Sequence, residues 1–113
     1  MLMKAKKMTL IEACDKACGI VIQAQEMDVL YRKGLQSLGE GKLRNGVMDL
    51  ATEAIQDENL RGEVFASDEN VVCFLCGVWI QFLLVEVAGL KKDKLKELTR
   101  KAFRESRENR ELH

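Results

Sequence analysis

A chain of 113 residues with 47% apolar residues and no proline has the length of one domain and is too apolar to be intrinsically disordered. Its 18 basic and 18 acidic residues cancel, which excludes a strong global field that would select a polyanion or polycation. The single histidine, His113, is the last residue, so a histidine base or triad is not expected. We therefore expect a protein that is not an enzyme and that needs no cofactor.

The charges are nevertheless distributed unevenly along the chain. The first seven residues carry three lysines, and residues 91–113 carry nine basic and five acidic residues. Between them, residues 8–90 carry six basic and thirteen acidic residues. Within a single helical domain covering residues 1–113, we expect residues 1–8 to be a flexible basic start and residues 104–113 to be a frayed charged tail.

Apolar residues recur at three- and four-residue steps, which predicts an all-α, four-helix bundle-like domain. Thr9 and Glu12 have the spacing of a capping box and predict the first helix start. A glycine-rich stretch over residues 39–46 predicts its end and a loop, residues 61–66 predict a connection, and Ser67 is a second candidate N-cap. The predicted helices cover residues 9–38, 46–59, 68–90 and 93–110.

The third predicted helix is unusual because it is apolar on nearly every side. Over residues 71–90, Gln81 and Glu86 are its only strongly polar members. Such a helix is either deeply buried or in lipid. Glu86 and Gln81 would be costly in a bilayer, and the other amphipathic helices need a surface to pack on, so we favour a central buried helix over a transmembrane one.

The hexapeptide CGIVIQ begins at Cys18 and the similar CGVWIQ begins at Cys76. The two lie 58 residues apart, and the same offset aligns the caps Thr9 and Ser67. A duplication of a helical hairpin is one explanation, and convergence on one packing requirement is the interpretation we favour. A glycine within a helix costs about 1 kcal/mol relative to alanine, and close approach of another helix is one reason to accept that cost. We therefore expect the first and third helices to touch, with small-residue notches at Cys18, Gly19, Cys76 and Gly77.

Four cysteines occur in pairs, each spaced to lie on one side of a helix. If the two helices meet, the thiols of these pairs could converge on a metal ion or act in redox chemistry. Buried, reduced, purely structural thiols are the simpler interpretation, because free cysteine is among the most buried residue types. No secretion signal is evident, so a cytoplasmic location is expected. The alternative metal or redox site consists of Cys14, Cys18, Cys73 and Cys76.

Basic residues follow the third helix and suggest a nucleic-acid-associated protein as a further alternative. Interleaved acidic residues and a lack of aromatic residues favour a solvated helix instead. The candidate phosphate-contacting residues are Lys91, Lys92, Lys94, Arg100, Lys101 and Arg104.

A helix that is apolar on every side needs neighbours all round, and a chain of this length supplies few. A second subunit would complete the enclosure, and homodimers are the commonest solution. We therefore predict a helical interaction or assembly protein, a homo-oligomeric small subunit or regulator that binds itself or another protein. Its third helix is expected at the centre or at a dimer interface formed by Phe74, Trp79, Phe82 and Leu83.

Overall fold

The computed structural model describes residues 8–91, 93, 94 and 97, and within them the fold is entirely helical, without strands. Between residues 8 and 91 there are five α-helices, and a π-helical segment continues the last one. Their bounds are α1 Leu10–Val21, α2 Gln25–Ser37, α3 Glu40–Ala54, α4 Glu58–Val64 and α5 Asp68–Phe82, followed by the π-helical segment Leu83–Val87. The predicted fourth helix lies outside the described residues except at three helical positions, Asp93, Lys94 and Glu97. The predicted flexible start, apart from Met8, and the predicted frayed tail also lie outside them.

The predicted first helix, residues 9–38, is two helices. Thr9 caps α1 as the sequence indicates, with its side chain accepting a hydrogen bond from the Glu12 amide and the Glu12 carboxylate accepting one from the Thr9 amide. The chain then turns at residues 22–24, where Ala24 has an extended backbone with φ −76° and ψ 123°. Neither glycine nor proline lies in this turn. Tertiary packing explains the break, because it brings Tyr31 of α2 onto Trp79 of α5.

The loop in the glycine-rich stretch is shorter than the predicted loop over residues 39–46. Only Gly39 has a left-handed backbone, with φ +89°, and it precedes α3 directly. Gly41 and Gly46 lie inside α3, so this helix starts six residues before the predicted position. The second half of α4 lies in the predicted connection, and its N-cap Asp57 accepts hydrogen bonds from the amides of Asn59 and Leu60.

Helix α5 lies at the centre of the core and packs against α1, α3 and α4. The π-helical segment packs against α2. Hydrogen bonds of Met8 to Asp68 and of Cys76 to Ala17 join residues about sixty positions apart, so α1 and α5 run side by side in the same direction. The largest fully buried side chains come from α1, α3, α5 and the π-helical segment, and they are Leu43, Val47, Leu75, Leu83 and Cys14.

Two glycines of the core allow close approach between helices. A Cβ atom on Gly46 would overlap the ring of Phe82, so α3 lies directly on α5 at this point. A Cβ atom on Gly34 would lie 2.9 Å from a methyl carbon of Leu43 and 3.2 Å from one of Val87. The sequence does not single out either position as a contact, and together they fix the distances of α2 and α3 from the centre.

Candidate association surface on helix α5

Helix α5 has a buried side and an open side, although its composition is apolar throughout. Together with the π-helical segment it is long and apolar enough to cross a membrane by length and composition, yet only 39% of its apolar stretch is buried within the fold. The buried side carries bulky residues at helical spacing. These are Val71, Val72, Leu75, Val78, Trp79, Phe82 and Leu83.

The open side begins one turn into the helix and continues into the π-helical segment. Three of its positions are exposed and three are half-buried, at steps of three and four residues. Ile80 is the most exposed large apolar residue among them, at 38%. We refer to these positions as the outward face of α5, and they are Cys73, Phe74, Gly77, Ile80, Gln81 and Leu84.

The outward face of α5 carries no charged side chain. Gln81 and the Cys73 thiol are its only polar groups. The exposed side of α2, in contrast, carries Glu26, Arg32 and Lys33. A contiguous exposed apolar patch can mark an interaction surface, and this stripe is the candidate considered below.

Three of the four predicted interface residues lie in the core of the single chain, which is the central position that the sequence analysis gave as the alternative. Trp79, Phe82 and Leu83 are 3%, 7% and 0% exposed, so they belong to the core and offer no surface to a partner. Phe74 is half-buried at the border of the outward face. The bulky residues turn inward because burial of aromatic side chains yields the most free energy, which leaves smaller residues outside. Their spacing places Cys73, Gly77, Ile80 and Leu84 on one side of the helix, but the sequence does not mark that side as the exposed one.

Helices α1 and α5 pack together, but the predicted glycine notches do not form their contact. A Cβ atom on Gly19 or Gly77 would meet no heavy atom within 4 Å, and both glycines are exposed. Cys18 and Cys76 are half-buried between α1 and α5. There the Cys76 thiol donates a hydrogen bond of 3.8 Å to the carbonyl oxygen of Ala17. The small residues that α1 supplies are Ala13 and Ala17, both fully buried. The sequence prediction overlooked these alanines in favour of the glycines.

The four cysteines occupy different environments. Burial raises the pKa of the Cys14, Cys18 and Cys76 thiols, and for Cys18 a hydrogen bond with Tyr31 partly offsets that rise. These three thiols are therefore protonated at neutral pH, which makes them poor nucleophiles. Cys73 is exposed on the outward face. Over the described residues, no three Cys, His, Asp or Glu side chains are grouped to hold a metal ion, so the alternative metal site has no geometric support.

A cavity of about 260 Å³ opens beside the first turns of α1 and α5. Its polar side chains already serve the fold: Asp68 accepts from the Met8 amide, and Ser67 accepts from the Asn70 amide. These groups are therefore engaged in capping and in holding the chain start, and they do not converge on a ligand. The lining residues are Met8, Leu10, Phe65, Ala66, Ser67, Asp68 and Val71.

Only part of the predicted nucleic-acid surface is described. Lys91 and Lys94 are exposed, and the Lys94 ammonium lies 4.0 Å from the Glu97 carboxylate. The other predicted phosphate contacts, Lys92, Arg100, Lys101 and Arg104, lie outside the described residues.

No protein-family model, curated protein or solved structure matches this chain.

Proposed function

We propose that this protein is a non-enzymatic assembly protein that forms a homodimer through the outward face of α5. The observation that carries the proposal is the uncharged apolar stripe of Cys73, Gly77, Ile80 and Leu84 on a helix whose opposite side forms the core. Homo-oligomers most often have twofold symmetry, in which the same patch contacts itself. An apolar patch free of charge is suited to that arrangement, because it brings no like charges together.

The expected affinity is modest. Complete burial of one large apolar side chain stabilises by about 1.5–3 kcal/mol, and a symmetric contact buries each such side chain twice. Phe74, Ile80 and Leu84 are already partly covered, so each contributes less than that. Association also costs several kcal/mol in lost translational and rotational freedom. We therefore expect a dissociation constant on the order of micromolar.

A lipid bilayer is the competing occupant of the same helix. The packing of α5 favours protein over lipid, because the Trp79 indole donates a hydrogen bond to the Cys14 carbonyl and the helix contacts three neighbours. Insertion as a single span would strip these contacts and place Gln81 among acyl chains. A second copy covers the exposed stripe while leaving the core intact.

Sedimentation equilibrium over a concentration series tests the proposal. The wild-type protein should pass from monomer to dimer as its concentration rises through the micromolar range. Ile80→Lys places a charge in the outward face and should keep the protein monomeric with unchanged helicity. The matched control is Ile11→Lys, because Ile11 is 55% exposed on α1 and lies outside the outward face. This control should dimerise like the wild type.

Two results would count against a homodimer through this face. The first is a wild-type protein that stays monomeric at high micromolar concentration, and the second is an Ile80→Lys variant that dimerises as tightly as Ile11→Lys. Flotation with neutral phosphatidylcholine vesicles separates the lipid alternative: wild-type protein that floats while remaining monomeric in buffer would identify lipid as the occupant.

A further inference from the structure

We infer that Asn45 of α3 is a latent modification site, which deamidates irreversibly when α3 opens and which the packing of α3 on α5 protects. The inference is independent of the proposed dimer. It draws on the dipeptide of Asn45 and Gly46, on the helical backbone that holds it, and on the contact of Gly46 with Phe82.

Asn45 is the one asparagine of the chain that a glycine follows. An asparagine side chain can be attacked by the backbone nitrogen of the next residue, and glycine hinders this attack least because it has no Cβ atom. Asn59 and Asn70 precede the bulky Leu60 and Val71 instead. All three asparagines are exposed, so the residue that follows decides which of them is most prone to the reaction.

The reaction needs only water as a co-reactant. The Gly46 nitrogen gives up its proton and forms a bond to the side-chain carbonyl carbon of Asn45, while the bond from that carbon to the side-chain nitrogen breaks and ammonia leaves. One water molecule then hydrolyses either of the two C–N bonds in the five-membered imide. The products are aspartate, with a normal backbone, and isoaspartate, whose backbone runs through the side-chain carbons. No oxidant or reductant takes part.

The helical backbone of α3 holds the two reacting atoms apart. Asn45 and Gly46 both lie inside α3, Glu40–Ala54. In an α-helix the Gly46 amide donates its hydrogen bond to the carbonyl four residues earlier, that of Lys42. Closure of the imide ring rotates the Asn45 ψ angle out of the helical region and breaks that hydrogen bond. The reaction therefore proceeds only from molecules in which this part of α3 has opened.

Contacts on both sides of Asn45 oppose that opening. Arg44, the residue before it, pairs with Asp15 of α1 at 3.0 Å, although an exposed ion pair adds little. Gly46, the residue after it, lies against the ring of Phe82, where a Cβ atom would overlap the ring. The contact with Phe82 also explains why the labile dipeptide is present, because a larger residue at position 46 would not fit. The deamidation rate should follow the fraction of molecules in which these contacts are broken.

The isoaspartate product should prevent α3 from closing again. Its backbone has an additional carbon, which displaces Gly46 from Phe82 and shifts the following residues out of the helical hydrogen-bond register. Its carboxylate also lies one turn before the exposed Asp49, and like charges at this spacing destabilise a helix. Each opening that reacts thus leaves a permanently altered molecule, so the site records how often α3 opens.

Peptide mass spectrometry of incubated wild-type protein tests the site. Samples are kept at mildly alkaline pH in heavy-oxygen water, in native buffer or in concentrated guanidinium chloride, and are then digested in ordinary water at acidic pH with a glutamate-specific protease. Incorporated heavy oxygen reports only the deamidation that occurred during the incubation. Asn45 should deamidate at least about tenfold faster in guanidinium chloride than in native buffer. Asn59 and Asn70 are internal controls and should react much more slowly than Asn45 in the unfolded sample.

The effect of the product is tested against Asn45→Asp, which carries the same new charge on a normal backbone. Ion-exchange chromatography isolates the deamidated wild-type protein after refolding, and peptide mapping gives its isoaspartate fraction. The isoaspartate form should unfold at a lower guanidinium chloride concentration than Asn45→Asp, because only the isoaspartate form displaces Gly46 from Phe82.

Each part of the inference has a result that would overturn it. Equal Asn45 rates in native buffer and in guanidinium chloride would show that α3 gives no protection. An Asn45 rate in guanidinium chloride no higher than those of Asn59 and Asn70 would remove the site. An isoaspartate form as stable as Asn45→Asp would contradict the irreversible opening of α3.

Discussion

The indole nitrogen of Trp79 donates a hydrogen bond of 2.9 Å to the carbonyl oxygen of Cys14, sixty-five residues earlier in the chain. The same indole meets the ring of Tyr31 edge-on, with ring centroids 5.9 Å apart. One side chain thus joins α5 to both α1 and α2. By fixing which side of α5 turns inward, it also determines which residues remain outside.

Replacement of Trp79 by phenylalanine should destabilise the fold. The change removes the indole N–H and part of a buried ring, while the Cys14 carbonyl keeps its place in the α1 hydrogen-bond ladder. We expect a loss of about 1–3 kcal/mol in the free energy of unfolding, measured by urea denaturation. The control is Phe65→Leu, because Phe65 is 48% exposed and should cost little. Equal losses in the two variants would mean that Trp79 does not anchor the core.

Two glycines of α3 should respond to alanine in opposite directions. Gly41 is open, so Gly41→Ala should stabilise the helix by up to about 1 kcal/mol. Gly46→Ala drives a methyl group into the ring of Phe82 and should destabilise by about 1–3 kcal/mol. Thermal and urea denaturation measure both changes on the same helix. A stabilising Gly46→Ala would show that α3 and α5 are further apart than the structure places them.

The buried thiol of Cys14 should make stability fall at alkaline pH. Burial raises its pKa from the ordinary value of 9.0, so the folded state holds the proton after the unfolded state has lost it. The resulting stabilisation is fully present below the unfolded pKa and is lost as pH rises through the raised folded pKa. Wild-type protein should therefore lose more unfolding free energy than Cys14→Ala above about pH 8.5, by at most about 1.4 kcal/mol per pH unit.

Val47→Ala is the control for this titration, because it also truncates a fully buried side chain but removes no ionisable group. Its deficit relative to wild type should be the same at every pH. Parallel stability curves for wild type and Cys14→Ala between pH 8 and pH 10 would contradict a raised pKa at Cys14.

The sequence predicted the helix caps correctly, because a cap depends only on residues that are neighbours along the chain. The capping box of Thr9 and Glu12 and the cap at Ser67 are both present, since each is made within one turn. The turn at residues 22–24 has no such signal; it leads into α2, whose Tyr31 packs on Trp79, a residue far away in sequence. Gly34 lies in the predicted first helix and Gly46 at the end of the predicted loop, and neither could be identified as a contact site without its neighbours Leu43 and Phe82.

The outward face of α5 also could not be identified from the sequence alone. The apolar composition of α5 correctly indicates a central helix, but a helix apolar on every side has no pattern that tells its inside from its outside. Trp79 and Phe82, which their bulk made candidates for either the centre or an interface, are core residues. The smaller residues Cys73 and Gly77 are the ones that the fold leaves exposed.

The claim that a second copy covers the outward face of α5 is tested most directly by the alkylation rate of the Cys73 thiol, measured over a range of protein concentrations. Cys73 is exposed in the single chain and covered in the proposed dimer. Iodoacetamide labelling followed by peptide mass spectrometry reports this residue separately from the other cysteines. We predict a rate for Cys73 that falls as wild-type concentration rises through the micromolar range, and a constant high rate in Ile80→Lys. A wild-type rate that is fast and independent of concentration would contradict the claim that a second copy covers the outward face of α5.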